Sequence, residues 1–256
     1  MNGTDPVVLM VLAGLAVLGG IFLFFRGFRD LKRKRLIEDT PTSTIRAMAP
    51  GLVEVTGTGV QHKPLNGPFT QRACLYYEYL VEEQRERTVG SGKDQHTETY
   101  WATIKSEDTS ELPFLVDDGT GKALVRPEGA EMVLVDRWEL QPGIFGDIPA
   151  PIVDFLKTRG VDCYGLFGFK RPLRFTERIL AEGQKLYLLA TCRTAGEGAE
   201  GMHLVKSPHG DPFIVSAKDQ KSLESSLGWA AFFLIPLGIL LTGGGIYGLV
   251  TLWTAR

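Results

Sequence analysis

Cysteine is scarce in this sequence of 256 residues, and its spacing excludes two classes of small fold. The three cysteines stand at positions 74, 163 and 192, and no CxxC pair occurs. An odd number of widely spaced thiols argues against a disulfide framework and against zinc held by cysteine pairs. Each cysteine lies in an apolar, strand-like stretch, which predicts buried free thiols.

Sequence motifs that carry catalysis are also missing. The chain has no HExxH, GxSxG or GK[ST] sequence, so the simplest patterns of zinc proteases, α/β-hydrolases and P-loop NTPases are excluded. Four carboxylates near strand ends form no defined acid/base pair, and we expect them on a solvated surface: Glu107, Asp108, Glu177 and Glu182. The sequence therefore predicts no catalytic residue, no metal ligand and no cofactor.

The chain lacks a strong charge of either sign. It has 28 Lys and Arg against 30 Asp and Glu, which gives a net charge of −2. Since no basic bias appears outside one short cluster, we do not expect nucleic-acid binding.

Long apolar runs, in contrast, stand near both ends. Residues 6–25 are uncharged and match the roughly 20 residues that a membrane-spanning helix requires. A cleaved signal peptide is the alternative, but its basic residues would precede the apolar run, whereas Asp5 does so here. Residues 228–255 form the second run, which predicts one tilted or kinked span because a hairpin of two spans needs roughly 40 residues. Trp229 and Trp253 near its ends are expected at the membrane interface.

A basic cluster follows the first run and predicts its orientation. Its members, expected at the membrane interface, are Arg26, Arg29, Lys32, Arg33, Lys34 and Arg35. Because such residues stay on the cytoplasmic side, we expect the N-terminus outside, the central domain cytoplasmic and the C-terminus outside. Binding to anionic head groups is an alternative role for the cluster. The predicted organisation is a span at 6–25, a juxtamembrane segment at 26–35, a soluble domain at 36–227 and a span at 228–255.

The soluble segment reads as mainly β. Alternating or β-rich stretches predict strands at 51–60, 73–83, 100–107, 171–180 and 182–194, with three short strands in 113–135. Residues 202–217 predict a hairpin around Gly210, and 85–99 a polar hairpin tip. Helices are predicted at 39–49, in 149–161 and at 217–227. Short strands at this spacing favour a small β-barrel or sandwich with a few helices, between two transmembrane helices.

Two local features invite a functional interpretation. The sequence DDGTG at 117–121 places two carboxylates beside glycines, but further cation ligands are missing, so we interpret it as a hairpin turn. The aromatic residues of 76–101 are expected mostly in the core, with some forming an exposed patch for a protein partner. Tyr77, Tyr79 and Trp101 are the candidates for that patch.

The ensemble of IEDTPTSTIRAMAPGLVEVTG, PFLVDDGTGKALVRPEGAE and RPLRFTERILAEGQKLYLLATC resembles the GIDE-domain family of membrane-anchored E3 ubiquitin ligases. The resemblance implies a span, domain, span order. Eukaryotic members carry a RING finger after the second span, and a RING needs about eight Cys and His ligands. No such ligand set occurs here, and the short form resembles prokaryotic members. Eukaryotic members place the domain in the intermembrane space, unlike the cytoplasmic side that the basic cluster predicts.

Three functions follow as hypotheses. The first is a protein-interaction module at the membrane, with the bilayer and another protein as partners and with its oligomeric state left open. The second is an E3-like component that acts with a separate RING or a ubiquitin-like system. The third is a structural protein of the membrane or of envelope stress.

Overall fold

A computed structural model of the chain describes residues 6–90, 92, 95–143, 146–165, 170–194, 201–218 and 220–254, with the backbone alone described at Pro6, Arg33 and 220–231. These residues form two compact units. One contains the terminal segments up to Pro41 and after Lys218, and the other is Thr42–Lys218. The described helices are α1 (Pro6–Asp39), α2 (Ala150–Thr158) and α3 (Gln220–Thr254). The described strands are β1 (Gly51–Val60), β2 (Cys74–Val89), β3 (His96–Asp108), β4 (Phe114–Asp117), β5 (Lys122–Val125), β6 (Glu131–Val133), β7 (Asp136–Leu140), β8 (Leu173–Ala181), β9 (Lys185–Thr194), β10 (Met202–Val205) and β11 (Ile214–Ser216).

Five of the described strands close into a barrel in the order β1-β4-β5-β10-β9, because β9 also pairs with β1 along almost its whole length. Strand β11 pairs with β9 on the same edge as β10, farther along that strand, and β6 extends the sheet beyond β11. The barrel is filled by buried aliphatic and aromatic side chains, among them Val55, Phe114 and Leu188. The predicted mainly β fold with a small barrel is thus confirmed.

A second, antiparallel sheet has the order β3-β2-β8-β7. Its core face packs with the buried face of α2, which supplies Ile152, Val153 and Leu156. The helix begins where predicted, with Pro151 in its first turn, and Gly160 follows its end at a φ of +72°. This sheet carries the surface discussed below.

Two sequence predictions about the domain are wrong. The predicted hairpin of residues 202–217 does not form: β10 and β11 pair with successive parts of one edge of β9, at Thr191–Thr194 and Tyr187–Leu189, and not with each other. The helix predicted at 39–49 is replaced by one 3-10 turn, Ile45–Ala47, because Thr42 forms a bridge with Glu54 of β1 and the Ser43 N–H bonds to the Glu54 carbonyl at 2.8 Å.

Strand lengths and helix ends also differ from prediction. The polar tip predicted at 85–99 is largely strand, since β2 continues to Val89 and β3 begins at His96. The short strand β7 was not predicted, because its alternation of charged residues gives no apolar signal. Helix α1 continues through the basic cluster to Asp39, and α3 is one helix that includes Pro236, so the single-helix interpretation of the second apolar run is confirmed.

Helices α1 and α3 are both long and apolar enough to cross a membrane. They pack against each other in antiparallel order, since residues later in α1 meet residues earlier in α3. A Cβ atom at Gly238 would lie 2.7 Å from the Gly20 carbonyl oxygen, and one at Gly245 would lie 2.8 Å from the Ala13 oxygen. We call Gly20, Gly27, Gly238 and Gly245 the glycine seam, because their missing side chains allow this close approach.

The glycine seam makes a crosslinking prediction. A Cβ at Gly248 would lie 3.7 Å from Ala13 Cβ, within the range that a disulfide requires. We expect an Ala13→Cys/Gly248→Cys variant to form an intramolecular disulfide on mild oxidation, measured in denaturant as the loss of two maleimide labels while the three native thiols still react. Ala13→Cys/Gly244→Cys is the control, because Gly244 faces open space.

Adding Gly238→Leu to the crosslinking pair should reduce the disulfide yield, since overpacking at such a contact costs about 1–3 kcal/mol. Gly244→Leu should leave it unchanged. Equal yields from both cysteine pairs would contradict the antiparallel contact.

Candidate functional site: the Trp101 groove

The aromatic residues of β2 and β3 separate into a buried set and an exposed pair. Tyr77 and Tyr79 are only 9% and 2% exposed and lie in the core of the second sheet. Tyr76 is buried in the barrel core. The first half of β2 is covered on both faces, so the usual alternation of buried and solvated side chains does not hold there. This corrects the prediction that Tyr77 and Tyr79 belong to an exposed patch, whereas Trp101 is partly exposed.

Trp101 is held as a fixed aromatic platform. The Arg174 guanidinium lies over its ring, 4.4 Å from the centroid. Arg174 is itself fixed by Glu82, to which its Nε donates a 2.8 Å hydrogen bond. A cation over an indole is the most favourable form of this contact, so the ring is held in one orientation.

A groove of about 470 Å³ opens beside Trp101, and we call it the Trp101 groove. Pro142, Pro172 and Leu173 add apolar surface to it, and the side-chain amides of Gln84 and Gln141 add polar groups. Strand pairing places Gln84 directly opposite Trp101, and the Gln84 N–H donates to the Pro172 carbonyl at 2.9 Å. Through Gln84, strand β2 therefore connects the side of the groove that carries Trp101 with the side that carries Pro172.

Two cations complete the lining, and both are tied to fixed partners. Lys170 Nζ donates to Asp147 Oδ1 at 2.8 Å and to the Gly146 carbonyl at 2.9 Å. Arg171 Nε donates to Glu83 Oε1 at 2.7 Å, and this hydrogen bond lowers the pKa of Glu83 below its ordinary value. The groove thus combines apolar surface, neutral amides and partly neutralised cations, a composition suited to protein recognition.

Buried carboxylates elsewhere have structural roles. Glu177 is 1% exposed, so its predicted place on a solvated surface is wrong. It accepts hydrogen bonds from the Phe69 N–H at 2.7 Å, from the Thr70 N–H and from the Thr70 hydroxyl. Glu54 is fully buried and accepts from the hydroxyls of Thr42 and Tyr187. Each carboxylate is committed to the fold by its donors.

The DDGTG sequence is the turn between β4 and β5, as predicted. Asp118 Oδ1 accepts from the N–H groups of Thr120 at 2.8 Å and Gly121 at 3.2 Å, and Oδ2 accepts from Ile45. Burial opposes ionisation of this side chain, but these hydrogen bonds outweigh burial and lower the pKa of Asp118. The carboxylate therefore organises the turn and the segment after α1.

The three cysteines are free and buried, as predicted. Burial, followed by the nearby Glu177 charge, raises the pKa of Cys74 to about 12. Burial also raises the pKa values of Cys163 and Cys192, so none of the thiols is a reactive thiolate at neutral pH. Among the described residues, no group of three or more His, Cys, Asp or Glu side chains is arranged to hold a metal ion.

The predicted membrane-interface residues lie on α1 and α3. Arg26, Arg29, Lys32 and Arg35 are exposed on α1, and Lys34 pairs with Glu38 at 3.2 Å. Trp253 is 74% exposed near the end of α3. The side chains of Arg33 and Trp229 lie outside the described ones.

Sequence reasoning found Trp101 but not its surroundings. Gln84, Gln141, Pro142, Arg171 and Pro172 come from three separate parts of the chain, and no local pattern joins them. The one available signal was the position of Arg174 between the apolar residues Leu173 and Phe175, in the strand that pairs Arg174 with Glu82.

Comparison with known proteins agrees with this architecture. The family model of the GIDE domain, described as E3 ubiquitin ligase, matches residues 82–250, which run from the middle of β2 into α3. The chain belongs to the GIDE family. Comparisons with curated proteins and with solved structures find no match. The family match includes every residue that lines the Trp101 groove.

The Glu177 network makes a stability prediction. Glu177→Ala leaves three donors without their acceptor, at roughly 1 kcal/mol or more each, so we expect the free energy of unfolding to fall by about 3 kcal/mol. Glu182→Ala removes an exposed carboxylate from the same region and should change it by less than about 0.5 kcal/mol. Denaturant unfolding of the full chain in detergent, followed by far-UV circular dichroism, measures both. Equal effects would contradict the assigned role of Glu177.

Proposed function

We propose that this GIDE-family protein is anchored in a membrane by α1 and α3 and binds another protein through the Trp101 groove. The observation that carries the binding part is the oriented, partly exposed Trp101 with Arg174 on its ring, beside a groove with apolar and amide walls. Tryptophan and arginine are the residue types that contribute most often to protein–protein affinity.

The anchoring part is supported by the apolar surface of the two helices. Leu18 and Phe25 on α1 are each 68% exposed, and Leu240 on α3 is 71% exposed. Core helices of soluble proteins bury such side chains, whereas a lipid environment favours their exposure.

Sidedness belongs to the proposal as well. The basic cluster of α1 favours a cytoplasmic domain with both termini outside. A single new thiol at Glu128, an exposed turn residue, should resist a membrane-impermeant maleimide in intact cells, whereas one at Arg256 should react. The three native thiols are buried and should not react with the maleimide. The reverse labelling pattern would contradict this orientation.

The family description supports a second candidate, an E3-like component that acts with a separate RING protein or a ubiquitin-like system. The buried thiols with raised pKa values argue against a covalent ubiquitin carrier among the three cysteines. In this role the groove would recruit the substrate or the conjugating machinery. Crosslinks from the groove to a conjugating enzyme or a RING protein would favour this candidate over a general adaptor.

The binding part is tested by photocrosslinking. A photoreactive phenylalanine analogue at Gln141, on the groove rim, should crosslink a defined protein partner, and one at Glu128, on the barrel, should not. Adding Trp101→Ala should reduce the crosslink by tenfold or more, since losing an interface hot spot costs about 2 kcal/mol or more.

Tyr100→Ala is the matched control. Tyr100 is exposed beside Trp101 and carries Arg87 over its ring, but neighbouring residues of a strand point to opposite faces. Its removal should leave the crosslink unchanged. Equal loss from both alanine variants would assign the effect to the strand and not to the groove.

A further inference from the structure

We infer that the exposed basic face of α1, formed by Arg26, Arg29, Lys32 and Arg35, binds the head groups of anionic phospholipids. This inference rests on the proposed membrane anchoring and adds the class of lipid that surrounds the anchor. It concerns a surface that the Trp101 groove does not include.

The basic face follows from helix geometry. Its four residues recur every third position, so at 100° per residue they sweep half the helix circumference. The acidic residues of this stretch are placed differently: Asp30 is buried, and Glu38 is paired with Lys34. None of the four cations has an ion pair with a described side chain. Asp39, exposed at the end of α1, adds one negative charge on the same side of the helix, so the face carries a clear excess of positive charge.

The depth of the basic face is set by the apolar residues before it. Phe22 and Phe25, 64% and 68% exposed, are the last large apolar residues before Arg26. On the antiparallel α3, Phe232 and Phe233 are similarly exposed and lie near the level of Gly27, which contacts Leu234 and Ile235. Exposed aromatic rings on both helices therefore lie at the level where the basic face begins, and Phe28, 47% exposed, extends them to the position before Arg29.

The distances fit a head-group layer. Arg26 and Arg35 are nine residues apart, or about 14 Å along the helix axis. Head groups add about 5–8 Å to each side of the hydrocarbon core, and the Debye length is about 8–10 Å at physiological salt. Arg26 and Arg29 thus reach phosphates directly, and Lys32 and Arg35 lie within electrostatic range of the surface. A neutral lipid offers no net charge to this face, whereas an anionic lipid does.

The test measures lipid preference directly. The full chain in neutral detergent is titrated with phosphatidylglycerol and with phosphatidylcholine, and bound lipids are counted by native mass spectrometry. We expect about a tenfold preference for phosphatidylglycerol in the parent protein, and less than about twofold in R26Q/R29Q/K32Q/R35Q, because each surface cation contributes about fivefold at most. Equal binding of the two lipids by the parent protein would overturn the inference and leave the anchoring proposal intact.

The matched control removes the same charges from the barrel region. Arg46, Arg126, Arg193 and Lys206 are exposed cations of the domain, and R46Q/R126Q/R193Q/K206Q should keep the full preference. Loss of preference in this control would overturn the assignment to α1. The conservative variant R26K/R29K/R35K should also keep it, because charge and not guanidinium geometry is recognised.

Two further experiments use the parent protein and therefore do not depend on whether the glutamine variant folds. Raising NaCl from about 50 mM to about 500 mM should abolish the preference of the parent protein by screening. Glycerol 3-phosphate at the lipid concentration should not displace the lipid, since it lacks the acyl chains that hold a head group beside α1. Salt-independent preference, or displacement by glycerol 3-phosphate, would overturn binding of a membrane lipid by this face.

Discussion

The first residues of β2 contribute side chains to two different cores. Leu75 and Tyr76 lie among the buried residues of the barrel, while Cys74, Tyr77 and Tyr79 lie in the core between the second sheet and α2. The paired strand β8 does the same with Leu180 and Ile179. These two strands therefore hold the barrel and the second sheet together, and the Trp101 groove lies farther along the same strand pair.

The sequence was informative where a local pattern decides structure. The bounds of β1, the DDGTG turn and the position of α2 follow from alternation, turn residues and proline placement. It was misleading where a long-range partner decides. Glu177 has the sequence appearance of a surface carboxylate, yet the loop at Phe69 and Thr70 buries it by offering three donors. The hairpin predicted around Gly210 fails for the same reason, because β9 offers its edge to both strands.

The candidate site likewise has one part that the local sequence predicts and another that depends on residues distant in the chain. Trp101 could be named from the sequence, because a strand rich in aromatic residues must expose some of them. The neighbours that give it direction, Arg174 on its ring and the prolines of the groove, meet only after β2, β3 and β8 have paired. A groove made by strand pairing has no contiguous signature in the sequence, because its lining residues come from separate segments.

The glycine seam has a mechanical consequence. At Gly20 and Gly238 the helices meet backbone to backbone, so no flexible side chain is available to absorb a change in their spacing. In the proposed membrane anchor, lateral tension in the bilayer would stretch the lipid but would not separate the helices until this contact broke. The two helices would then respond to a pulling force as one rigid pair. The chain segments that follow α1 and precede α3 would not be pulled independently of each other.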